Sequence, residues 1–212
     1  IFLFSFICAA QFLFAQLNTS PDMAVIAFVK NDSIQLRWAP ANISFWKAGN
    51  TYGFKVERIL FDQYMEPGAD SLKFKTAGLI NQQPLMPWPQ QDERWKNLIS
   101  KNKIAAFAYG TLYAKDPKAT PQKKEMAFAM LMKLCDLNSE LSAAHGLSIT
   151  DKSFTKNEVY VYRISLYNPP KNLKYTPAVI AVNPKEISAL PEITSLQVTF
   201  GDRRVELKFT TK

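Results

Sequence analysis

Histidine is nearly missing from this sequence: its 212 residues include one, His145, and only two cysteines, Cys8 and Cys135. There is no HExxH or CxxC motif and no glycine-rich phosphate loop, which leaves zinc, redox-dithiol and nucleotide chemistry without their usual local signatures. Glycine is also scarce, with seven residues, while 47% of the chain is apolar. That balance excludes fibrous and disordered classes and leaves room for one or two domains with a real core.

Charge is missing altogether from Ile1 to Ala15, which reads IFLFSFICAAQFLFA. The run is shorter than the roughly 20 residues of a membrane span and matches the apolar core of a signal peptide. Ala15 before Gln16 suits cleavage, although Leu13 is larger than the usual small residue and no basic region precedes the run. A buried strand or helix is the alternative, and Phe6 and Ile7 fit a lipidation box around Cys8 poorly. With the leader removed only Cys135 remains, so no internal disulfide forms, which favours a bacterial envelope protein over a disulfide-dense ectodomain. No integral membrane span is then expected.

The net charge is +8, spread as +1 over residues 1–91, +3 over 92–150 and +4 over 151–212. Lysines alternate with acids and never form a basic run interleaved with aromatics, so the charge reads as a solvated surface and no nucleic acid partner is expected.

Short alternating segments begin at Met23. Ala24 to Lys30 reads as a strand, Asn31-Asp32 as a turn, and Ser33 to Trp38 as a second strand with Ile34, Leu36 and Trp38 on one face. Pro40 ends it, and a loop rich in Asn, Gly and Trp follows. Tyr52 to Ile59 alternates again, with Tyr52, Phe54, Val56 and Arg58 on one side. The longest alternating stretch, Glu158 to Tyr167, precedes Asn168-Pro169-Pro170 and a strand at Ala178 to Val182.

The strand ending Leu36-Arg37-Trp38-Ala39-Pro40, the strand Tyr52-Gly53-Phe54-Lys55-Val56-Glu57-Arg58 and the late strand Tyr160-Val161-Tyr162-Arg163-Ile164 together resemble the fibronectin type III pattern. The resemblance covers residues 22–60 and 152–184. It implies an immunoglobulin-like β-sandwich in which Trp38 is a core residue of the second strand and Tyr160 forms the tyrosine corner, its hydroxyl bonding back to nearby backbone. The predicted fold is mainly β with an α insertion, occupying residues 22–190.

The departure from that pattern is the interval from Ile59 to Glu158, where the family has room for two or three short strands. Asp92 to Ala114 carries Trp95, Leu98, Ile99, Asn102, Ala105, Ala106, Tyr109, Leu112 and Tyr113 at helical spacing, and Pro117 closes it. Thr120 offers an N-cap before Pro121, and Ala127, Met130, Leu131, Leu134, Asn138 and Leu141 make a second stripe up to a cap at Gly146. The expectation is an antiparallel helical hairpin inserted at about 88–146, its stripes burying each other and one sandwich face.

Beyond Pro191, Thr194 to Phe200, the Gly201-Asp202 turn and Arg204 to Phe209 form a hairpin pattern. Val205 to Phe209 echoes Ile34 to Trp38, so residues 191–212 read as the first strands of a second, truncated sandwich, and the intact protein is expected to continue past Lys212.

Chemistry-bearing residues are sparse. His145 reads as a helix-end residue, and Cys135, among Met130, Leu131 and Leu134, as an inert thiol. Asp92 with Glu93, and Asp62 with Glu66, are carboxylate pairs with nothing to hold them across a cleft. Neither a catalytic site, a metal site nor a cofactor is expected. The candidates for partner or glycan contact are two tryptophans: Trp46, in the loop before the third strand, and Trp88, within Pro84-Leu85-Met86-Pro87-Trp88-Pro89. A proline-stiffened loop presents an aromatic at low entropic cost, though either ring would serve equally as a plug between helices and sandwich. The triplets at Asn18, Asn31 and Asn42 match glycan acceptors only in a host that glycosylates them.

The leading expectation is a non-catalytic, secreted or cell-surface module that makes protein–protein or protein–glycan contacts within a multidomain protein. A competing one is an accessory region of a large extracellular polysaccharide-active enzyme whose catalytic domain lies past Lys212. A third, a complete small ligand-binding protein with a pocket between helices and sandwich, sits poorly with the dangling second repeat.

Overall fold

The computed structural model of the chain describes residues 22–30, 32–68, 74, 77–114, 116–186, 193–201 and 204–211, the last two segments as backbone. The apolar leader, Cys8 and the acceptor triplet at Asn18 lie outside the described residues. Helices and antiparallel strands contribute nearly equal shares.

Strands β1 (Met23–Val29) and β2 (Ile34–Pro40) pair antiparallel, and β2 pairs in turn with β5 (Ser148–Asp151). The second sheet has the order β4 (Gly78–Leu79), β3 (Phe54–Leu60), β6 (Tyr160–Leu166), β7 (Ala178–Val182), again all antiparallel. Period-two alternation sends Ile34, Leu36 and Trp38 from one sheet, and Phe54, Val56, Tyr162, Ile164 and Leu166 from the other, into one buried core. Trp38 is 3% exposed and meets the Phe54 ring edge-on at 5.6 Å. The outer face of the second sheet is covered separately: Ile59 and Val161 pack with Phe74, flanked by Tyr64 of the short helix α2 (Phe61–Met65).

The expected loop after Pro40 is instead a helix, α1 (Ile43–Tyr52). The Asn42 side chain caps it by accepting from the Phe45 N–H at 2.8 Å, and Phe45, Trp46 and Gly49 are its buried face. Gly49 leaves room there for the Phe54 ring, which a Cβ would approach to 2.3 Å. Tyr52 therefore belongs to the helix, and the third strand starts after Gly53, whose φ of 69° ends α1.

β4 is two residues long, but its edge is prolonged by a side chain. The Asn81 carbonyl accepts from the Val56 N–H at 2.7 Å while its amide donates to Phe54 and Gln83 carbonyls at 3.0 and 2.8 Å. This substitutes for missing ladder bonds and delivers the chain to Leu85, which exchanges both backbone hydrogen bonds with Phe54. The proline-rich loop and the helices start from that anchor.

Each of the two expected helices is broken into two. The first is α3 (Glu93–Lys101) followed by α4 (Ile104–Tyr113), and the second is α5 (Pro121–Leu137) followed by α6 (Ser139–Ala144). Both breaks fall on asparagines read above as stripe positions. Asn102 accepts from the Ile104 N–H and Asn138 from the Leu141 N–H, each at 3.0 Å, because a short amide side chain competes for backbone donors and favours caps over helix interiors. Thr120 and Pro121 start α5 as expected, with Thr120 accepting from the Lys123 N–H. The buried stripe of α5 is Phe128, Leu131 and Cys135, whereas Met130 stands exposed with Met126 and Leu137.

Residues β8 (Ile193–Gly201) and β9 (Arg204–Thr211) form an antiparallel hairpin in which Gly201 pairs with Arg204.

Candidate functional site

Trp46 is not in a loop and is not exposed. It sits on α1 with 6% of its surface accessible and lies 5.9 Å from the Phe128 ring of α5, so it joins the insertion to the sheets. Its indole N–H finds no partner among the described residues.

Trp88 is half-buried and held by its backbone and by two side-chain neighbours. Its backbone N–H donates to the Ala144 carbonyl at 2.9 Å, and its own carbonyl accepts from the Trp95 indole at 3.3 Å and from the Tyr113 hydroxyl. The Arg94 guanidinium lies 4.3 Å over the ring, and Trp95 meets it edge-on at 5.5 Å. Arg94 is itself fixed by two bonds to the Asp92 carboxylate, at 2.9 and 2.6 Å, which hold that carboxyl down at about 2. One face of the indole is thus already occupied by a cation.

Trp95 is the hub of this region. Besides Trp88 it touches the rings of Tyr109, Tyr113 and His145, at 5.4, 6.3 and 5.6 Å and near-perpendicular angles. His145 follows α6, as a helix-end residue was expected to, but it is 0% exposed and neither ring nitrogen has a hydrogen-bond partner among the described residues. Burial pushes its imidazole down to about 4, so it is neutral at physiological pH. Gly146, at φ 65°, lets the chain turn against the Met86 backbone, where a Cβ would approach to 2.8 Å.

Cys135 is buried, and burial pushes its thiol up to about 12. Of the carboxylates, Asp92 caps α3 and Glu93 pairs with Lys96 at 2.7 Å on the surface, while Asp62 and Glu66 are exposed around α2. Among the described residues no three His, Cys, Asp or Glu side chains converge as a metal-binding group. No helix among them is long and apolar enough to cross a membrane.

The densest polar cluster was missed by sequence reasoning. Asp151, at the end of β5, accepts from Arg58 at 2.6 Å and from the Tyr162 hydroxyl at 2.8 Å through one oxygen, and from the Ser153 N–H and hydroxyl, each at 2.8 Å, through the other. Burial alone would raise this carboxyl, but the four donors outweigh it and hold it below the ordinary value. Burial and the hydrogen bond to Asp151 raise the Tyr162 phenol. Arg58 also stacks on Tyr160 at 4.7 Å. The available signal was Arg58 itself, a charge on the same strand face as Phe54 and Val56. On the opposite face Glu57 accepts from Arg163 at 2.8 Å across the β3–β6 pair, and from Lys55. These clusters tie sheet to sheet and strand to strand, with every carboxylate oxygen of Asp151 already engaged.

Tyr160 donates to the Glu158 carboxylate and accepts from the Thr155 N–H at 2.9 Å, five residues upstream. No known family profile, no curated protein sequence and no solved structure matches this chain.

Proposed function

We propose that the chain carries a fibronectin type III-like β-sandwich of a secreted bacterial envelope or cell-surface protein, acting as a non-catalytic scaffold that contacts protein or glycan partners. The observation that carries the reading is the division of strands. In immunoglobulin-type sandwiches the first, second and fifth of the lettered strands share one sheet, and the third, sixth and seventh share the other. With β4 as an added edge, the orders β1-β2-β5 and β4-β3-β6-β7 follow that division. The buried Trp38 on β2 and the Tyr160 hydroxyl bonded to the Thr155 backbone occupy the positions the resemblance implies for a core tryptophan and a tyrosine corner. The β8–β9 hairpin then begins a second sandwich.

The helical insertion is the partner-facing element in this reading. Ile104 and Phe107 on α4, and Met126, Met130 and Leu137 on α5, keep large apolar side chains exposed, and that exposure supports placing the contact face on the insertion. Fold alone does not assign function, so the test is biochemical. The product of the intact gene, followed by cell fractionation and assayed on a polysaccharide panel, is expected at the cell surface without hydrolytic activity. Retention in the cytoplasm, or glycoside cleavage, would overturn the proposal.

A further inference from the structure

Helix α5 is apolar on two opposite faces. One carries Phe128, Leu131 and Cys135 into the core. On the other, Met126, Met130 and Leu137 are 72, 55 and 70% exposed. At about 100° of turn per residue they fall, with the exposed Lys133, within about 60° of the helix circumference. A surface helix ordinarily presents polar groups on the face away from its core. The solvent side of α5 instead forms a narrow apolar ridge about three turns long, its one charge the Lys133 ammonium, which the Asp136 carboxylate meets at 3.3 Å.

The charges at the two ends of α5 restrict what fits this ridge. Its first turn holds Lys123 and Lys124 and no acid, although the amino end of a helix favours negative charge. The other end carries Asp136, with Glu140 just beyond it on α6, and Arg37 of β2 donates to the Asp136 backbone carbonyl there at 2.7 Å. An antiparallel copy would bring its acidic end to the two lysines, whereas a parallel one would set lysines against lysines. The ridge is matched to the same two-fold. About a midpoint between Leu131 and Met132, Met126 falls opposite Leu137 of the second copy, and Met130 opposite the aliphatic stem of Lys133.

We propose that α5 pairs antiparallel with α5 of a second copy of this chain, making a two-fold dimer through the solvent face of the helical insertion. The pairing rests on the reading that places the contact face on the insertion, and it names the partner. An anionic bilayer would have to accept the Asp136 carboxylate beside the ridge, and an acidic helix from another protein would set like charge against Asp136 and Glu140. A single pair of 17-residue helices lies at the small end of specific interfaces. Weak, reversible association is therefore expected, with a dissociation constant of about 10 to 100 µM.

Sedimentation equilibrium of the full chain, read as mass against concentration, tests it. The unaltered protein is expected to pass from monomer to dimer across that range. Met130→Lys sets a cation against Lys133 of the second copy; it is expected to weaken the dimer at least tenfold and, being exposed, to leave the melting temperature of the dilute protein unchanged. Direction is read by disulfide trapping in a Cys8→Ser background, where the buried Cys135 stays silent. A mixture of Met126→Cys and Leu137→Cys proteins is expected to cross-link at least tenfold faster than either alone. A monomer up to about 1 mM, ten times the weakest expected constant, dimerisation untouched by Met130→Lys, or faster cross-linking within each single variant would each overturn the proposal. Flotation of the monomer with phosphatidylglycerol vesicles would give the face to a lipid surface and likewise overturn it. Cell-surface location and the absence of hydrolysis are measured separately, so neither result decides the other.

Discussion

Asp151 and His145 are buried ionisable groups solved in opposite ways, and acid should separate them. Asp151 is charged and fully partnered; His145 is neutral and unpartnered. Because the folded imidazole is held at about 4 against an unfolded value near 6.5, the unfolded chain binds the extra proton between those limits. The His145 contribution is therefore flat above pH 6.5, falls as pH drops toward 4, and costs about 2 kcal/mol by pH 5. Urea titrations at pH 7 and pH 5 measure this, and His145→Phe should flatten that window. Asp151 and Glu57 contribute at lower pH, since carboxyls held below their ordinary values lose their stabilisation only as pH falls through the folded values. Asp151→Ala should cost about 3 to 5 kcal/mol, because it leaves the partly buried Arg58 and the fully buried Tyr162 hydroxyl without their acceptor. A guanidinium melt at neutral pH gives the figure, and a loss under about 1 kcal/mol would mean that solvent replaces the carboxylate.

At the scale of elements, the positions that decide helix ends are the ones sequence periodicity misreads. Asn102 and Asn138 fall at apolar-stripe spacing, and period counting absorbed them into two long helices; their capping bonds instead divide the insertion into four. Asn138→Ala removes the α6 cap and should cost about 1 kcal/mol, read as a lower urea midpoint with unchanged slope. Helix α1 was hidden for a related reason, since Asn, Gly and Trp look like loop composition, although Asn42 ahead of Phe45, Trp46 and Gly49 carries a cap and a helical face. Gly49→Ala should destabilise by about 1 to 3 kcal/mol despite alanine's better helix propensity, because the new methyl meets the Phe54 ring. A thermal melt that rose instead would show that the ring can move aside. The strands were legible because half-buried sheets write their faces directly into alternation, as at Ile34, Leu36 and Trp38.

For the whole molecule, what local pattern cannot convey is which distant segments meet. Trp88 and Trp46 were read as ambiguous between contact and plug. Their surroundings come from Arg94, Trp95 and Ala144 in one case and from Phe128 in the other, partners chosen by tertiary packing. Arg58, Asp151 and Tyr162 likewise become one cluster only when the sheets close. Trp95 joins α3 to α4, to the loop bearing Trp88 and to the end of α6, so Trp95→Ala should cost about 3 to 5 kcal/mol. Hydrogen exchange should show the loss first in residues 93–144, with β3 and β6 still protected; uniform loss across both sheets would instead make insertion and sheets one cooperative unit.

The pairing of β2 with β5 sets Ile34 opposite Asp151, so the entire insertion must be threaded between two neighbours of one sheet. Loop closure of that length precedes any reward from the contact, and topologies rich in such pairings fold slowly. Three of the insertion's four helices, α3, α4 and α6, have ten residues or fewer and hold poorly by themselves, so they gain little lead over the sheets. During maturation β2 would wait with its free edge open, and the order in which the chain emerges would then bear on whether it reaches this state or aggregates.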